Sequence, residues 1–449
     1  MKKELSLYSI LRRILTELNA QVIEHGERVA FMYLKMIEYC EIEDNEYIEK
    51  MMLACLAHDI GAYKTNKFLS LLRFDAENTL EHCIYGYLFM KYFSPLKEDS
   101  EVFLYHHTFY EEKKNISSKY FDDGVLIHLL DRIDILNIAC EGNEDAIIKQ
   151  IVDNKGTIFN PKDVDNFIYA NKKFNIIKKL NANQFDGEVK KYFDDPKRFD
   201  RLLEPIINML AFEVDFKSEQ TVIHTVTTAL FSKALAEKFN LSEEDTNNLF
   251  LAAKLHDLGK IKVPTNILEK PGRLTPEEYD VIKKHVFYTD DIIKDLFQEE
   301  VTDIACKHHE RLDGSGYPNG LKAQQLTIQD RILQVADVAS ALIYKRSYKA
   351  AMEKDVVLSI LDGEKKSGRL DEDVVNIFEQ HYDDILKETS LISEPIINEY
   401  ENLQHEFKEY SKKYSELNHV KDDFGLLSIN ESNHNKKVTF YKKTPIEDM

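Results

Sequence analysis

The chain has 449 residues, 43% of them apolar, and a formal net charge of −20; this is length for two domains of ordinary size and enough apolar residue for real cores. Only 15 Gly and 10 Pro occur, which disfavours turn-rich β-sandwiches and favours helices. The acidic balance excludes a nucleic-acid polymer as a partner held by bulk charge, but leaves room for a small anion held by a local metal cluster. Cys40, Cys55, Cys83, Cys140 and Cys306 form no Cys-x-x-Cys pair and read as buried thiols in a reducing compartment. The start, Met1-Lys2-Lys3-Glu4-Leu5, lacks the apolar core of a signal peptide, and no run of 18 apolar residues occurs, so the expectation is a cytoplasmic protein without a membrane partner.

In chain order, residues 45–60 predict a helix with its apolar face at Ile48, Met52, Cys55 and Leu56, stopping at Ala57-His58-Asp59-Ile60-Gly61, where Gly is read as the helix terminator. Residues 141–200 are mixed and charged; they complete a first unit and bridge to a second. Ser242, followed by Glu243 and Glu244, caps a helix over 245–260 with apolar Leu249, Phe250 and Ala253, which stops at Leu255-His256-Asp257-Leu258-Gly259. Thr275-Pro276-Glu277-Glu278 is a further helix start, with acids facing the helix dipole. From residue 395 a helical tail carries Ile396, Ile397, Tyr400, Leu403, Phe407 and Tyr410 at three- and four-residue spacing, and beyond about residue 420 the pattern gives way to polar sequence expected to fray. No strand-like run exceeds a few residues, so the predicted fold is all-α.

The chain is written twice. His25, His58, Asp59, His82, His106, His107 and Asp131 recur in order as His224, His256, Asp257, His285, His308, His309 and Asp337, with an offset that drifts only from about 198 to 206. The ends match more weakly: Phe159-Asn160-Pro161 with Val164 and Phe167 corresponds to Leu370-Asp371-Glu372 with Val375 and Phe378. All seven positions of each set are expected at or near helix ends. A single buried His is more often a packed core residue than a ligand, but packing does not require imidazole and carboxylate at matched places in two diverged copies. Imidazole suits Fe, Mn, Zn and Co, and a carboxylate can bridge two ions. Two ions about 3.5–4 Å apart can share a hydroxide, lower its pKa and clamp a phosphoryl group for in-line attack. Asp257, next to His256 and with two oxygens, is the natural bridge, and Lys260, one turn after His256, can reach a phosphate oxygen.

The second copy resembles the HD-GYP phosphodiesterases, a branch of the HD hydrolases. The likeness covers roughly residues 201–390 and includes His256-Asp257-Leu258-Gly259-Lys260, Ile267-Leu268-Glu269-Lys270-Pro271-Gly272, the run from His308-His309-Glu310 through Asp313-Gly314-Ser315-Gly316-Tyr317-Pro318, Val335-Ala336-Asp337 and Arg346-Ser347-Tyr348-Lys349. The resemblance implies a helical domain that binds two divalent ions, Fe or Mn, and hydrolyses a cyclic dinucleotide. It implies His224, His256, Asp257, His285, His308, His309 and Asp337 as metal ligands, with Asp257 and Lys260 catalytic. It implies substrate contacts from Lys260, Asp313, Gly316, Tyr317, Pro318, Arg346 and Lys349, with Gly314 completing the signature loop. Departures are Gln220 where three-metal members carry Glu (beside Glu219), which favours two ions; Val286-Phe287-Tyr288-Thr289 after His285; Thr227 for an Arg; and Ser340 for an Asp.

The first copy resembles the broader HD superfamily. His25-Gly26-Glu27-Arg28-Val29-Ala30 fits its opening motif, but His106-His107 run into Thr108-Phe109-Tyr110-Glu111-Glu112 without the loop, and Ala62 is read at the place of Lys260. The expected organisation is therefore an HD-like domain at 1–190 with a second candidate metal site and a regulatory or structural role, an HD-GYP catalytic domain at 201–390, and a helical tail at 391–449. The leading substrate expectation is cyclic di-GMP. The alternative is 3′,3′-cyclic GMP-AMP, because a paired helical HD domain before an HD-GYP domain also occurs in enzymes that degrade it. A third reading is a non-catalytic cyclic-dinucleotide receptor. A homodimer is left open.

Overall fold

The computed structural model describes residues 6–62, 79–217, 222–268, 270, 272–343 and 352–415. Among them the regular structure is helical, as the sequence predicts, with no strand and two isolated bridges, Lys155 to Phe159 and Asp313 to Lys322. The helices of the first copy are α1 (Leu7–Cys40), α2 (Asn45–Ala57), α3 (Thr79–Phe93), α4 (Phe121–Ala139), α5 (Glu144–Asp153), α6 (Pro161–Phe174), α7 (Ile176–Asn181) and α8 (Asp186–Phe193). α9 (Pro196–Lys217) leads into the second copy: α10 (Val222–Lys238), α11 (Glu243–Leu255), α12 (Thr265–Leu268), α13 (Pro276–Lys283), α14 (His285–Ile293), α15 (Glu299–Cys306), α16 (Ile328–Ile343), α17 (Lys354–Lys366), α18 (Glu372–Gln380) and α19 (Tyr382–Ser415).

The helix starts are where short polar side chains can take up orphan N–H groups. Ser242 accepts from the Asp245 N–H to open α11, and Thr275 and Glu278 form a reciprocal capping box at α13. The weak likeness of the two ends is structural: Asn160 caps α6 above buried Val164 and Phe167, and Asp371 caps α18 above buried Val374, Val375 and Phe378. The recurring His and Asp residues lie on or just past matched elements: in the first copy His25 on α1, His58 and Asp59 just past α2, His82 on α3, His106 and His107 just past the 3₁₀ turn Ser100–Leu104, and Asp131 on α4; in the second His224 on α10, His256 and Asp257 just past α11, His285 on α14, His308 and His309 just past α15, and Asp337 on α16.

The two copies share one continuous apolar core, which includes Phe31, Phe103 and Phe193 from the first and Phe231 and Phe378 from the second. α19 closes the arrangement. It begins in the second copy, where Tyr382 meets Phe378 at 5.7 Å between ring centroids, and its far end packs on α3 of the first. There Phe407 stacks on Tyr85 at 4.0 Å, the Tyr410 and Tyr87 hydroxyls meet at 3.2 Å, and Glu406 accepts from Lys91 Nζ at 2.6 Å and from the Tyr92 hydroxyl at 2.8 Å. At the other side Arg13 of α1 donates to the Lys294 carbonyl at 2.9 Å, just past α14. Among the described residues no helix is long and apolar enough to cross a membrane.

Candidate metal centres

The seven second-copy residues converge. His256 is the C-cap of α11, His285 opens α14 directly behind α13, and His308 follows the last turn of α15. Each folds Nδ1 onto the carbonyl three residues back: Ala253 at 2.7 Å, Ile282 at 2.6 Å and Ala305 at 2.7 Å. Carbonyls at helix ends lack intrahelical partners, so they fix the ring orientation and tautomer and leave Nε2 facing inward, free to serve as a donor to a metal.

Those inward atoms surround Asp257. Its Oδ2 lies 3.6 Å from His224 Nε2 and 3.3 Å from His256 Nε2, while Oδ1 lies 3.5 Å from His285 Nε2 and 3.9 Å from His308 Nε2. Asp337 completes the first group, 3.1 Å from His224 Nε2, and reaches towards His309 Nδ1 at 3.8 Å. Two three-residue groups, His224/His256/Asp257 and His285/His308/His309, thus sit on opposite oxygens of one carboxylate, the geometry expected of a bridge. His256 Nε2 and Asp257 Oδ1 are buried without a hydrogen-bond partner. Such atoms cost about 1–3 kcal/mol each when left unsatisfied, and a divalent ion between them would remove that cost. Burial works against the charge on Asp257, but His256 and Lys260 outweigh it and hold the carboxyl well below its usual range. Burial pushes His285 down to about 4, and burial with neighbouring imidazoles keeps His308 well below its ordinary value, which leaves neutral rings suited to ligation.

Two expectations need correction. The recurring residues are not all at helix ends: His25 lies in the body of α1, Asp131 in the middle of α4 and Asp337 in the middle of α16, each on a buried face turned to the cluster. Gly259 does not act as a left-handed helix stop, since α11 ends before it at His256. Its role is close approach: a Cβ there would lie 2.0 Å from the His285 carbonyl oxygen and 2.5 Å from Thr289 N. The Gly259 N–H donates to Thr289 Oγ1 at 2.9 Å, whose hydroxyl donates to the His256 carbonyl at 3.0 Å, pinning α14 against the His-Asp turn. Gly61 repeats this, with a Cβ 2.0 Å from the His82 carbonyl oxygen.

Lys260 stands in the short 3₁₀ turn Leu258–Lys262 and pairs with Asp257 Oδ2 at the rim. In the signature loop, Tyr317 lies over His309 at 4.7 Å between ring centroids and edge-on to Tyr279 at 6.4 Å. Asp313 makes a local turn, accepting from the Ser315 N–H at 2.9 Å and its hydroxyl at 2.6 Å, and Pro318 follows a cis bond. Gly316 is pressed against the Glu310–Arg311 backbone, with a Cβ position 2.4 Å from Arg311 N, and Gly314 has φ 85°. The loop is organised by Glu310, which sequence reasoning passed over as part of a His-His-Glu string. It is fully buried and accepts from the Asn319 N–H at 2.7 Å and the Leu321 N–H at 2.8 Å. Arg346, Lys349, Glu219 and Gln220 lie outside the described residues.

The first copy rebuilds the same cage. His58 and His106 turn Nδ1 onto the Cys55 and Phe103 carbonyls at 2.9 and 2.7 Å, and the donor groups are His25/His58/Asp131 and Asp59/His82/His106/His107. Three differences separate the copies. His25 Nδ1 is held by Asp134 at 2.7 Å, itself paired with Arg28 Nε at 2.7 Å, whereas His224 Nδ1 meets the Ser340 hydroxyl at 2.8 Å, with Thr228 Oγ1 2.6 Å from Ser340. Thr227 and Ser340 thus stand at the places of the paired Arg28 and Asp134; Ser340 is met by Thr228, while the Thr227 hydroxyl donates to the His224 carbonyl at 3.1 Å. Arg132 lies on Asp131 at 3.0 Å and against His107 Nδ1 at 3.5 Å, where the second copy has Val338. Cys83 points its thiol at His82 and His106, where the second copy has Val286. The Arg after Asp131 was a signal available in the sequence; the approach of the Cys83 thiol to His106, 23 residues on, was not.

A family model described as HD domain matches residues 202–374. The 3′3′-cGAMP-specific phosphodiesterase 1 of Vibrio cholerae serotype O1 is 30% identical over 390 residues, 82% of this chain and 89% of that protein. A cyclic di-GMP phosphodiesterase response regulator of Xanthomonas campestris pv. campestris is 36% identical over 36% of this chain and 44% of its own length. A cyclic di-GMP phosphodiesterase of Thermotoga maritima is 40% identical over 32% of this chain and 39% of its own length. The solved structure of a cyclic GMP-AMP specific phosphodiesterase of V. cholerae aligns over 83% of this chain and 96% of that chain, with 19% identity and a TM-score of 0.47. With a helical fold and buried His/Asp cages of this kind, the chain is an HD-domain protein. It belongs to the HD-GYP family of cyclic-dinucleotide phosphodiesterases.

Proposed function

We propose that this chain linearises 3′,3′-cyclic GMP-AMP, with catalysis in residues 201–390. The observation that carries this reading is the extent of the likeness: a relative specific for that nucleotide aligns over 82% of the chain, whereas the two cyclic di-GMP phosphodiesterases named above match 36% and 32% of it. The sequence-based preference for cyclic di-GMP gives way to the alternative on this ground.

In this reading His224, His256, Asp257 and Asp337 on one side and Asp257, His285, His308 and His309 on the other would hold two divalent ions, Fe or Mn, which would supply an activated water and neutralise charge on the scissile phosphate. Asp257 faces both groups, one oxygen towards His256 and the other towards His285. Lys260, which pairs with Asp257 at the rim, would turn to a phosphate oxygen and stabilise the charge that develops there. Tyr317, backed by His309, offers an apolar ring at the mouth on which a base can stack. Arg346 and Lys349 meet the remaining phosphate charge. The first copy, at 1–190, packs against this unit as a metal-bearing regulatory or structural domain.

The test is hydrolysis of each cyclic dinucleotide by the Mn²⁺- or Fe²⁺-loaded full chain, with linear products followed by chromatography. The expected result is a preference of about tenfold or more in kcat/KM for cyclic GMP-AMP. A preference for cyclic di-GMP would reverse the substrate assignment. Binding of both without cleavage, with metal present, would make the protein a receptor.

A further inference from the structure

The thiol of Cys83 is the one chemically distinctive group at either cage that the proposed reaction does not use. Cys83 is 2% exposed and follows His82 on α3. Its Sγ lies 3.8 Å from His82 Nε2 and 3.9 Å from His106 Nε2. Those nitrogens are 3.2 Å apart and lie 3.6 and 3.7 Å from Asp59 Oδ1. A tetrahedral ion with Zn–N of about 2.0–2.1 Å and Zn–S of about 2.3 Å sets its donor atoms roughly 3.3–3.7 Å apart. The distances just given are five of the six edges of such a tetrahedron; two lie inside that range and three within about 0.2 Å of it. Asp59 Oδ1 is buried without a hydrogen-bond partner, and so is His107 Nε2, from a ring that belongs to the same group. The cluster is thus short of a positive charge in its middle rather than satisfied internally. The neighbouring group, His25/His58/Asp131, is differently disposed, because the Arg132 guanidinium already lies on Asp131.

We propose that Cys83 is a ligand of the first copy's metal centre. Together with Asp59, His82 and His106 it gives one ion per chain a mixed His/Asp/Cys donor set. Such a set, with one thiolate, favours a borderline-soft divalent ion of the Zn²⁺ class over the ions suited to the all-His/Asp catalytic cage. A full set of protein donors, with His107 adjacent as a fifth, leaves no open position of the kind a reacting water needs, so the centre holds structure rather than turning over substrate. The thiol loses its proton to solvent as the ion binds. The proposal rests on reading the first-copy cluster as a metal centre.

Cobalt reports on this directly, because a thiolate bound to Co²⁺ gives a near-ultraviolet sulfur-to-metal charge-transfer band that His and Asp ligands do not. The full chain is titrated with Co²⁺ as wild type, Cys83→Ser, Cys83→Val (the residue found in the second copy) and Cys306→Ser, with cyclic-dinucleotide hydrolysis measured alongside. The expected result is a band that saturates at one equivalent in wild type and Cys306→Ser and is absent in both Cys83 variants, while hydrolysis persists. A cobalt-loaded wild type without the band, or a band unchanged by Cys83→Val, overturns the proposal. The hydrolysis assay reports separately on the second-copy cage, so failure of the thiolate reading and failure of the enzymatic reading are told apart.

Discussion

Replacing Gly259 with Ala tests how the second copy's cage is held together. The added Cβ would sit 2.0 Å from the His285 carbonyl oxygen and 2.5 Å from Thr289 N, both backbone atoms that cannot rotate away. Contacts under 3.0 Å essentially never occur for real Cβ atoms, so α14 and the His-Asp turn must separate by at least about 1 Å, on the scale at which misplacement costs roughly 10²-fold in rate. His285 moves with α14 and Asp257 with the turn, so the two halves of the cage part along the line that Asp257 bridges. Overpacking of this kind costs about 1–3 kcal/mol, and loss of the Gly259 N–H to Thr289 bond adds about 1 kcal/mol. Gly61→Ala is the matched control, because its Cβ meets the His82 carbonyl oxygen at the same 2.0 Å in the first copy. Urea denaturation and steady-state hydrolysis are measured on both. The expected outcome is similar destabilisation in the two variants and a rate loss of about 10²-fold or more in Gly259→Ala alone. Unchanged turnover in Gly259→Ala, or an equal rate loss in Gly61→Ala, would refute the reasoning.

Other perturbations separate the roles of individual residues. Asp257→Ala removes the carboxylate whose two oxygens face His256 and His285 and is expected to abolish turnover and to lower bound metal, read by elemental analysis; full activity in this variant would sink the site. Lys260→Met is expected to lower kcat by about 10²–10³-fold with metal content unchanged, and parallel loss of metal would mean that it holds the cage rather than the phosphate. Ser340→Ala leaves His224 Nδ1 without its 2.8 Å partner and is expected to weaken metal binding about 10–100-fold, measured by competition with a chelating dye. Phe407→Ala removes the stack on Tyr85 and is expected to cost about 1–3 kcal/mol; an unchanged denaturation midpoint would show that α19 contributes no hold on the first copy.

The cages were legible in the sequence because few side chains ligate metals, so imidazole and carboxylate positions stay in register through duplication while apolar positions drift. The caps at Ser242 and Thr275 were legible because only short oxygen-bearing side chains reach the first-turn N–H groups. What could not be read was anything that depends on facing a distant segment. Asp337 and Asp131 looked like helix-end residues, but a carboxylate in mid-helix is tolerated when the buried face it occupies is turned to a cluster of imidazoles. Ser340 and Thr227 looked like two separate losses until the first copy showed Asp134 and Arg28 paired in their place. Gly259 carried the right identity for the wrong reason, since a helix terminator and a point of backbone contact call for the same residue. Cys83 was counted among inert thiols, because nothing in its own neighbourhood of sequence tells which way α3 turns it.

α19 has a consequence for any attempt to take the protein apart. A cut at residue 390, where the second copy's sequence signature ends, falls inside the uninterrupted helix Tyr382–Ser415. The fragment to its left would lose the residues of α19 that meet Tyr85, Tyr87 and Tyr92, and a fragment running from 201 to the end would keep the whole helix but leave Phe407 and Tyr410 facing water. Each piece would present an adhesive aromatic strip that the intact chain conceals. Insolubility or silence in such fragments would then report on exposed clasp surface, not on which copy does the chemistry, and the two copies are better compared by point changes within the whole chain.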